Sequence, residues 1–299
     1  LFEKIKLGDD EEMNHDILTL IQDNMHTFSK GQKRIANFIL ESYDKAAFMT
    51  ASRLGKKVGV SESTVVRFAA ELGYDGYPDM QKSLQKMIRN RLTSVQRIEV
   101  TNDRIGDQDL VSMILQSDIE KIRLTLEELD RSAFDQVVDA IVSARKIYII
   151  GVRSSAAIAA FLSFYFNLIF DNVVNVSANT ASEVFESLLR VGEGDVVLGV
   201  SFPRYSSRTV QAMSFARDRG AATVAITDSE ASPLAPICTY TLKARSDMAS
   251  FGDSLVAPLS LVNALLVAVS RKKNDDLAAT FQTLEHIWEE YGVYEKVQE

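Results

Sequence analysis

From about Asp16 to Leu92, apolar residues recur every three or four positions, interrupted by short turn signals and never alternating with a period of two, which predicts an all-helical domain. From Lys146 onward the pattern changes. Short β-branched runs, KIYIIG (146–151), NVVNV (172–176), DVVLGV (195–200), ATVAIT (222–227) and TYTLKA (239–244), alternate with helical segments. Runs that are apolar on both faces with helices between them predict a parallel sheet covered on both sides, and five of them fit an open doubly wound sheet. The expected fold class is α/β: an all-helical N-terminal domain followed by a doubly wound five-stranded parallel sheet. Ligands on such sheets sit outside the carboxyl ends of the strands where the strand order reverses, so the loops after Ile150 and Val200 are the places to look.

The expected boundaries are a frayed leader over 1–13, which holds the run Asp9, Asp10, Glu11, Glu12, and a helical domain over 14–92. A polar linker containing Gly106 is expected over 93–108. The α/β domain is expected over 109–299, opening with a helix from about Asp109 to Leu129.

Within the helical part, TASRLGKKVGVSESTVVRFAAELGY (50–74) carries the most specific signal. Thr50 is placed to cap a first helix with Leu54 and Val58 facing inward. Gly55 is small enough to admit a crossing helix, and Gly59 supplies the left-handed residue that ends the first one. Ser61 then caps a second helix whose buried stripe is Val65, Phe68, Ala69 and Leu72. Ser63, Thr64 and Arg67 fall on the opposite face, so hydroxyls and a guanidinium project from the first turns, where a recognition helix meets base edges and phosphates. Charge changes the picture in the same direction. The chain is −8 overall, yet residues 29–98 hold 13 basic and 6 acidic side chains. A basic island in an acidic chain is the footprint of a nucleic-acid module, although a helical hairpin with a merely solvated charged face has the same composition.

These residues, together with FSKGQKRIANFIL (28–40) and GYDGYPDMQKSL (73–84), resemble the N-terminal domain of the RpiR/MurR family of bacterial transcription regulators over most of 16–92. The resemblance implies binding of double-stranded operator DNA through Ser61, Ser63, Thr64 and Arg67, with Lys56 and Lys57 as phosphate contacts. Gly55 departs from the alanine frequent in the family, at some loss of helix propensity.

Phosphate recognition on a doubly wound sheet needs a tight turn after a strand, backbone N–H groups at a helix start and short hydroxyl side chains. IIGVRSSAAIAAFL (149–162) offers Gly151, Ser154 and Ser155, and GVSFPRYSSRTVQAM (199–213) offers Ser201, Ser206 and Ser207. Serines at helix starts also serve as plain caps. Taken together this half is similar to a sugar isomerase (SIS) domain from about Lys146 to Arg271. The resemblance implies a pocket for a phosphorylated sugar or similar anionic metabolite, with Gly151 and Ser155 matching the family's first loop and Ser201 and Ser206 its second. Pro203 stands where the family commonly has serine, and Arg153 and Arg204 stand where it usually has glycine. Either the two guanidinium groups replace the lost donors and bind an anion, or they fill the pocket and leave the domain to oligomerise. The first reading is preferred, because filling a pocket more naturally uses apolar side chains than two cations needing partners.

The expected function is a DNA-binding regulator, not an enzyme, whose operator affinity responds to that metabolite. An aldose–ketose isomerase is the rival, but no histidine occurs between His26 and His286, and Glu183 and Glu186 read as exposed helix positions, so no catalytic residue is assigned. Cys238 is the only cysteine and the three histidines lack metal-ligand spacing, so no metal and no cofactor are expected. No apolar stretch is long enough to span a membrane, which leads to the expectation of a soluble, cytoplasmic protein. Helix-turn-helix proteins usually place two recognition helices about 34–36 Å apart, so a homodimer or homotetramer is expected. The apolar face of DLAATFQTLEHIWEEYGVY (276–294), with SFYFNLIF (163–170), either closes its own core or packs between subunits.

Overall fold

The computed structural model describes residues 17–88, 93–105, 109–177, 180–247 and 251–295. The expected leader over 1–13 lies outside them. The chain divides into two compact units between Gly106 and Asp107.

The first unit is helical: α1 (Ile17–Asp23), α2 (Lys30–Glu41), α3 (Tyr43–Ala46), α4 (Ala51–Val58), α5 (Glu62–Glu71), α6 (Tyr77–Ile88) and α7 (Ser94–Ile105). Helix α2 starts in a capping box in which Ser29 accepts from the Gln32 amide and the Gln32 side chain accepts from the Ser29 amide. Its buried positions Ile35, Ala36 and Ile39 pack toward α5, whose Phe68 ring lies 5.0 Å from that of Phe28. On α6, the Tyr77 hydroxyl and the Gln81 amide both donate to the Met49 carbonyl (2.6 and 2.8 Å), and Gln85 donates to the Ala47 carbonyl at 2.8 Å. These bonds satisfy the carbonyls between α3 and α4, which the turn there leaves without helical partners. Burial pushes the Tyr77 phenol up to about 12.

The stretch expected as a linker differs from that expectation, because most of it is helix α7. Thr93 and Gln96 form a reciprocal cap, the Gln96 side chain accepting from the Thr93 amide at 2.9 Å and Thr93 Oγ1 accepting from the Gln96 amide at 3.3 Å. The Gln96 amide group also donates to Asp44 of α3. Polar composition concealed a helix whose start signal, Thr followed three residues later by Gln, was present in the sequence.

The second unit opens with α8 (Leu110–Glu128), capped by Asp109, and α9 (Arg131–Ser143), capped by Asp130. Then β1 (Lys146–Gly151), α10 (Ser155–Ile169), β2 (Val173–Asn175), α11 (Ala181–Ser187), β3 (Asp195–Val200), α12 (Ser207–Asp218), β4 (Ala222–Thr227) and β5 (Tyr240–Lys243) alternate, followed by α13 (Val256–Lys272) and α14 (Asn274–Glu290). The five strands are all parallel in the order β2-β1-β3-β4-β5. Each expected run holds a strand, the second and fifth trimmed by one residue at each end. Ile147, Ile149, Val196, Leu198, Val224 and Ile226 face a core made with α9, α10 and α13; Tyr148, Ile150, Val197 and Ala225 face a second core made with α11 and α12. At the amino ends of β1 and β3, Arg145 clasps the fully buried Asp195 through two bonds of 2.9 and 2.7 Å.

Strand order reverses between β1 and β3, and their carboxyl ends are level, Gly151 pairing in register with Val200. Close helix packing requires the glycines nearby. A Cβ on Gly151 would lie 2.6 Å from the Ser155 carbonyl oxygen, and one on Gly199 would lie 2.6 Å from Met213 Sδ.

Candidate functional site

The helix-turn-helix hairpin is built by short-range signals. Thr50 accepts from the Arg53 amide to start α4, and Leu54 and Gly55 are buried. Gly59 ends the helix at φ 70°, and Ser61 accepts from the Thr64 amide to start α5. Val65, Phe68 and Ala69 are fully buried, Leu72 nearly so, and Val58 half so. A Cβ on Gly55 would meet the Val60 carbonyl oxygen at 2.8 Å, so the two helices approach too closely for alanine in this arrangement. The glycine that departs from the family pattern therefore has a local steric reason.

The candidate DNA residues are divided by this geometry. Lys56 and Lys57, in the last turn of α4, are exposed. On α5, Ser63 and Arg67 are exposed, and the Arg67 Nε donates back to the Ser63 carbonyl at 3.3 Å. The Ser61 hydroxyl has its acceptor role committed to the cap and also lies 2.9 Å from Ser63 Oγ and 2.8 Å from Thr64 Oγ1. Thr64 is half-buried, with its methyl group on the side of Gly31. The outward surface of α5 is thus carried by Ser63 and Arg67 more than by Thr64. Val66, 42% exposed on the same helix, was not singled out from the sequence, because its single apolar side chain lies off the stripe.

At the switch point of the sheet, the loops after β1 and β3 lie side by side. Ser155 and Ser201 are buried; Arg153, Ser154, Arg204 and Ser207 are exposed; Ser206 is half-buried. The two arginines share a backbone property, φ 58° for Arg153 and φ 64° for Arg204, both in the left-handed region. Glycine adopts this region at no steric cost, whereas a residue with a Cβ is strained there by roughly 1–3 kcal/mol. The structure also gives α10 and α12 no side-chain cap: neither Ser154 nor Ser206 closes the first turn through its hydroxyl, although the Ser206 amide donates to Ser201 Oγ at 3.3 Å. Two helix starts carrying hydroxyls and cations, at adjacent strand ends, can take an anion. Pro203 is buried within the second loop.

Three residues at this edge, Tyr205, Thr227 and Asp228, carry no assignment from the sequence. Asp228, just past β4 and 5% exposed, accepts from the Tyr205 hydroxyl at 2.7 Å and from Ser229 Oγ at 3.4 Å. Thr227 Oγ1 donates to the Ser201 carbonyl at 2.8 Å, tying the loop after β3 to the end of β4. The available signal was the polar triplet Thr-Asp-Ser closing the ATVAI run. Glu183 and Glu186 have structural partners: Glu183 completes a capping box with Thr180, and Ser182 donates to Glu186 at 2.6 Å. Helix α14 packs on α10 and α13 with Leu277, Phe281, Leu284 and Trp288 half-buried, while Ile287 and Tyr291 are exposed. Among the described residues, no helix is long and apolar enough to cross a membrane.

Comparison with known proteins gives a consistent result for both units. The family model described as a helix-turn-helix domain of the rpiR family matches residues 15–91, and that of the SIS domain matches residues 140–268. The HTH-type transcriptional regulator HexR of Escherichia coli (strain K12) is 28% identical over 228 residues, covering 76% of this chain and 77% of HexR. The sugar isomerase domain of an RpiR transcription factor from Sphaerobacter thermophilus superposes with a TM-score of 0.57 at 28% identity, over 60% of this chain and 99% of that one. NanR of Vibrio vulnificus, solved in complex with ManNAc-6P, has a TM-score of 0.56 at 24% identity over 91% of this chain and 97% of its own, a likeness of fold.

Proposed function

Because this chain belongs to the RpiR-type transcriptional regulators, with an rpiR-family helix-turn-helix domain and a SIS domain, we propose that a phosphorylated sugar or similar anionic metabolite bound at the switch point of the sheet sets its affinity for operator DNA. The observation that carries this reading is the pair of left-handed arginines, Arg153 and Arg204, at two adjacent strand ends. Strained backbone persists where the surroundings impose it and clusters at ligand sites. Both side chains are exposed, which favours donors reaching toward a ligand over side chains filling a pocket. Gly151, Ser154, Ser155, Ser201, Ser206 and Ser207 supply the backbone approach and the hydroxyls around them. That NanR was solved with ManNAc-6P supports a sugar phosphate as the ligand class.

On the DNA side, Arg67 and Ser63 read bases or phosphates from α5, with Ser61, Thr64, Lys56 and Lys57 around them. The chain works as a homo-oligomer, since one recognition helix contacts too few base pairs for useful specificity. Isomerase chemistry is disfavoured, because Glu183 and Glu186 are held in helix caps and intrahelical bonds and no histidine lies in the sheet unit before His286.

The test is the melting temperature of the full chain against a panel of hexose and amino-sugar 6-phosphates, with inorganic phosphate and the unphosphorylated sugars as controls. A ligand at 100 times its Kd stabilises by about 2.7 kcal/mol. At least one sugar phosphate is expected to raise the melting temperature and change operator affinity, and Arg204→Ala is expected to abolish the shift with the fold intact. No shift across the panel, or rapid isomerisation of a sugar phosphate, would overturn the proposal.

A further inference from the structure

Helix α8 has three different faces. On one, Lys121 and Thr125 are buried; Lys121 donates to Ser117 Oγ at 2.8 Å and to Asp118 at 3.1 Å, Ser254 donates to Asp118 at 2.7 Å, and the helix packs on α13. On the second, Arg123 pairs along the helix with Glu120 and Glu127. The third carries Val111, Leu115, Ile119, Ile122 and Leu126, all large aliphatic side chains 37–65% exposed. Their spacings of four, four, three and four residues place them on one continuous stripe. The charged face lies beside this stripe and the buried face on its other side, so α8 is already docked on its own domain and the stripe points elsewhere.

We propose that this stripe is a subunit contact, pairing antiparallel with the same helix of a second copy about a two-fold axis beside Ile119. The inference rests on the reading that the chain works as a homo-oligomer, and it names the surface. Three observations select a second copy as the occupant. The stripe is self-complementary: a two-fold axis midway between positions 118 and 119 sets Val111 opposite Leu126 and Leu115 opposite Ile122 and brings the two Ile119 side chains together beside the axis, as an isologous contact requires. The charges that flank the seam are satisfied within their own subunit, Arg123 by its two glutamates at the rim and Asp118 by Lys121 and Ser254. The stripe also has sufficient size, roughly 500 Å² per copy and about 1,000 Å² for the pair, which is where specific interfaces begin. By contrast, helix α14 packs on α10 and α13 with Leu277, Phe281, Leu284 and Trp288 half-buried, so much of its apolar face is already used within its own domain. Interdigitation of such ridges brings two helix axes to about 8–10 Å, close enough for side chains at the two-fold axis to touch their own copies.

The full chain, with Cys238→Ser as background, tests this by light-scattering mass and by oxidative cross-linking. Burial pushes the Cys238 thiol up to about 11, so the native cysteine is a poor competitor in any case. Ile119→Cys is expected to give a covalent dimer under mild oxidation, whereas Leu126→Cys, far from its own copy in an antiparallel pair, is not. Ile119→Arg is expected to halve the solution mass, with far-ultraviolet circular dichroism unchanged. A monomeric parent overturns the homo-oligomer reading itself. An oligomeric parent that gives no Ile119→Cys cross-link and keeps its mass with Ile119→Arg overturns the α8 contact alone. Equal cross-linking at 119 and 126 overturns the antiparallel arrangement.

Discussion

The hairpin of α4 and α5 and the loops after β1 and β3 both present hydroxyls and cations at the starts of helices, yet they are built in opposite ways. In the hairpin every start is closed: Thr50 caps α4, Ser61 caps α5, and the turn residue with positive φ is Gly59. At the sheet edge neither α10 nor α12 has a side-chain cap, and the residues with positive φ are arginines. The hairpin sits near a local energy minimum and displays its side chains outward from a finished scaffold. The sheet-edge loops hold strain and leave helix starts uncapped by their own serines, a local loss of stability that the rest of the domain has to offset.

Three sets of substitutions sharpen or break that contrast. The largest effect is expected on binding. Arg67→Ala should weaken operator DNA by about 1–3 kcal/mol and relax preference at one position, whereas Lys57→Ala should weaken all sequences alike and flatten the salt dependence. Gel-shift titrations of both variants at several salt concentrations decide it, and parental affinity for Arg67→Ala would remove that residue from the reading surface.

Next is the tight point of the hairpin. Gly55→Ala gains up to about 1 kcal/mol of helix propensity but drives a Cβ against the Val60 carbonyl, and overpacking of this kind costs about 1–3 kcal/mol. The expected net result is a loss of about 1–2 kcal/mol, read as faster amide hydrogen exchange across α4 and α5. Slower exchange would mean that the turn at Val60 yields and that the hairpin is less tightly determined than its caps imply.

The smallest effect has the opposite sign. Arg153→Gly and Arg204→Gly relieve left-handed strain, less the added chain entropy of glycine, so each should stabilise the sheet unit by about 1 kcal/mol or less while reducing stabilisation by a sugar phosphate. Thermal unfolding followed by Trp288 fluorescence measures both. Variants that lose stability while keeping the ligand response would show that the two arginines hold the loops instead of serving the ligand.

The hairpin was legible in the sequence almost to the residue because its signals are local: caps, a terminating glycine, and a stripe repeating every three or four positions all lie within 25 residues, Thr50 to Tyr74. The Thr93–Gln96 capping pair is an equally local start signal for α7, but the polar composition of that segment masks the helix that follows it. The strands were legible from β-branched runs. Asp228 and Tyr205 were not, because their meeting depends on β3 lying beside β4, and nothing in either segment alone announces the other.

What the sequence determined by itself was therefore the set of elements: which segments are helix or strand, where the basic island lies, and which serines and arginines follow the strands. Only the tertiary structure decided the order β2-β1-β3-β4-β5, and with it that the loops carrying Arg153 and Arg204 are neighbours, that both arginines are left-handed, and that one face of α8 is bare. The physical reason is range. Caps, propensities and periodicity act across one or two turns of chain, whereas strand order, imposed backbone angles and the exposure of a helix face are set by contacts between residues far apart in sequence.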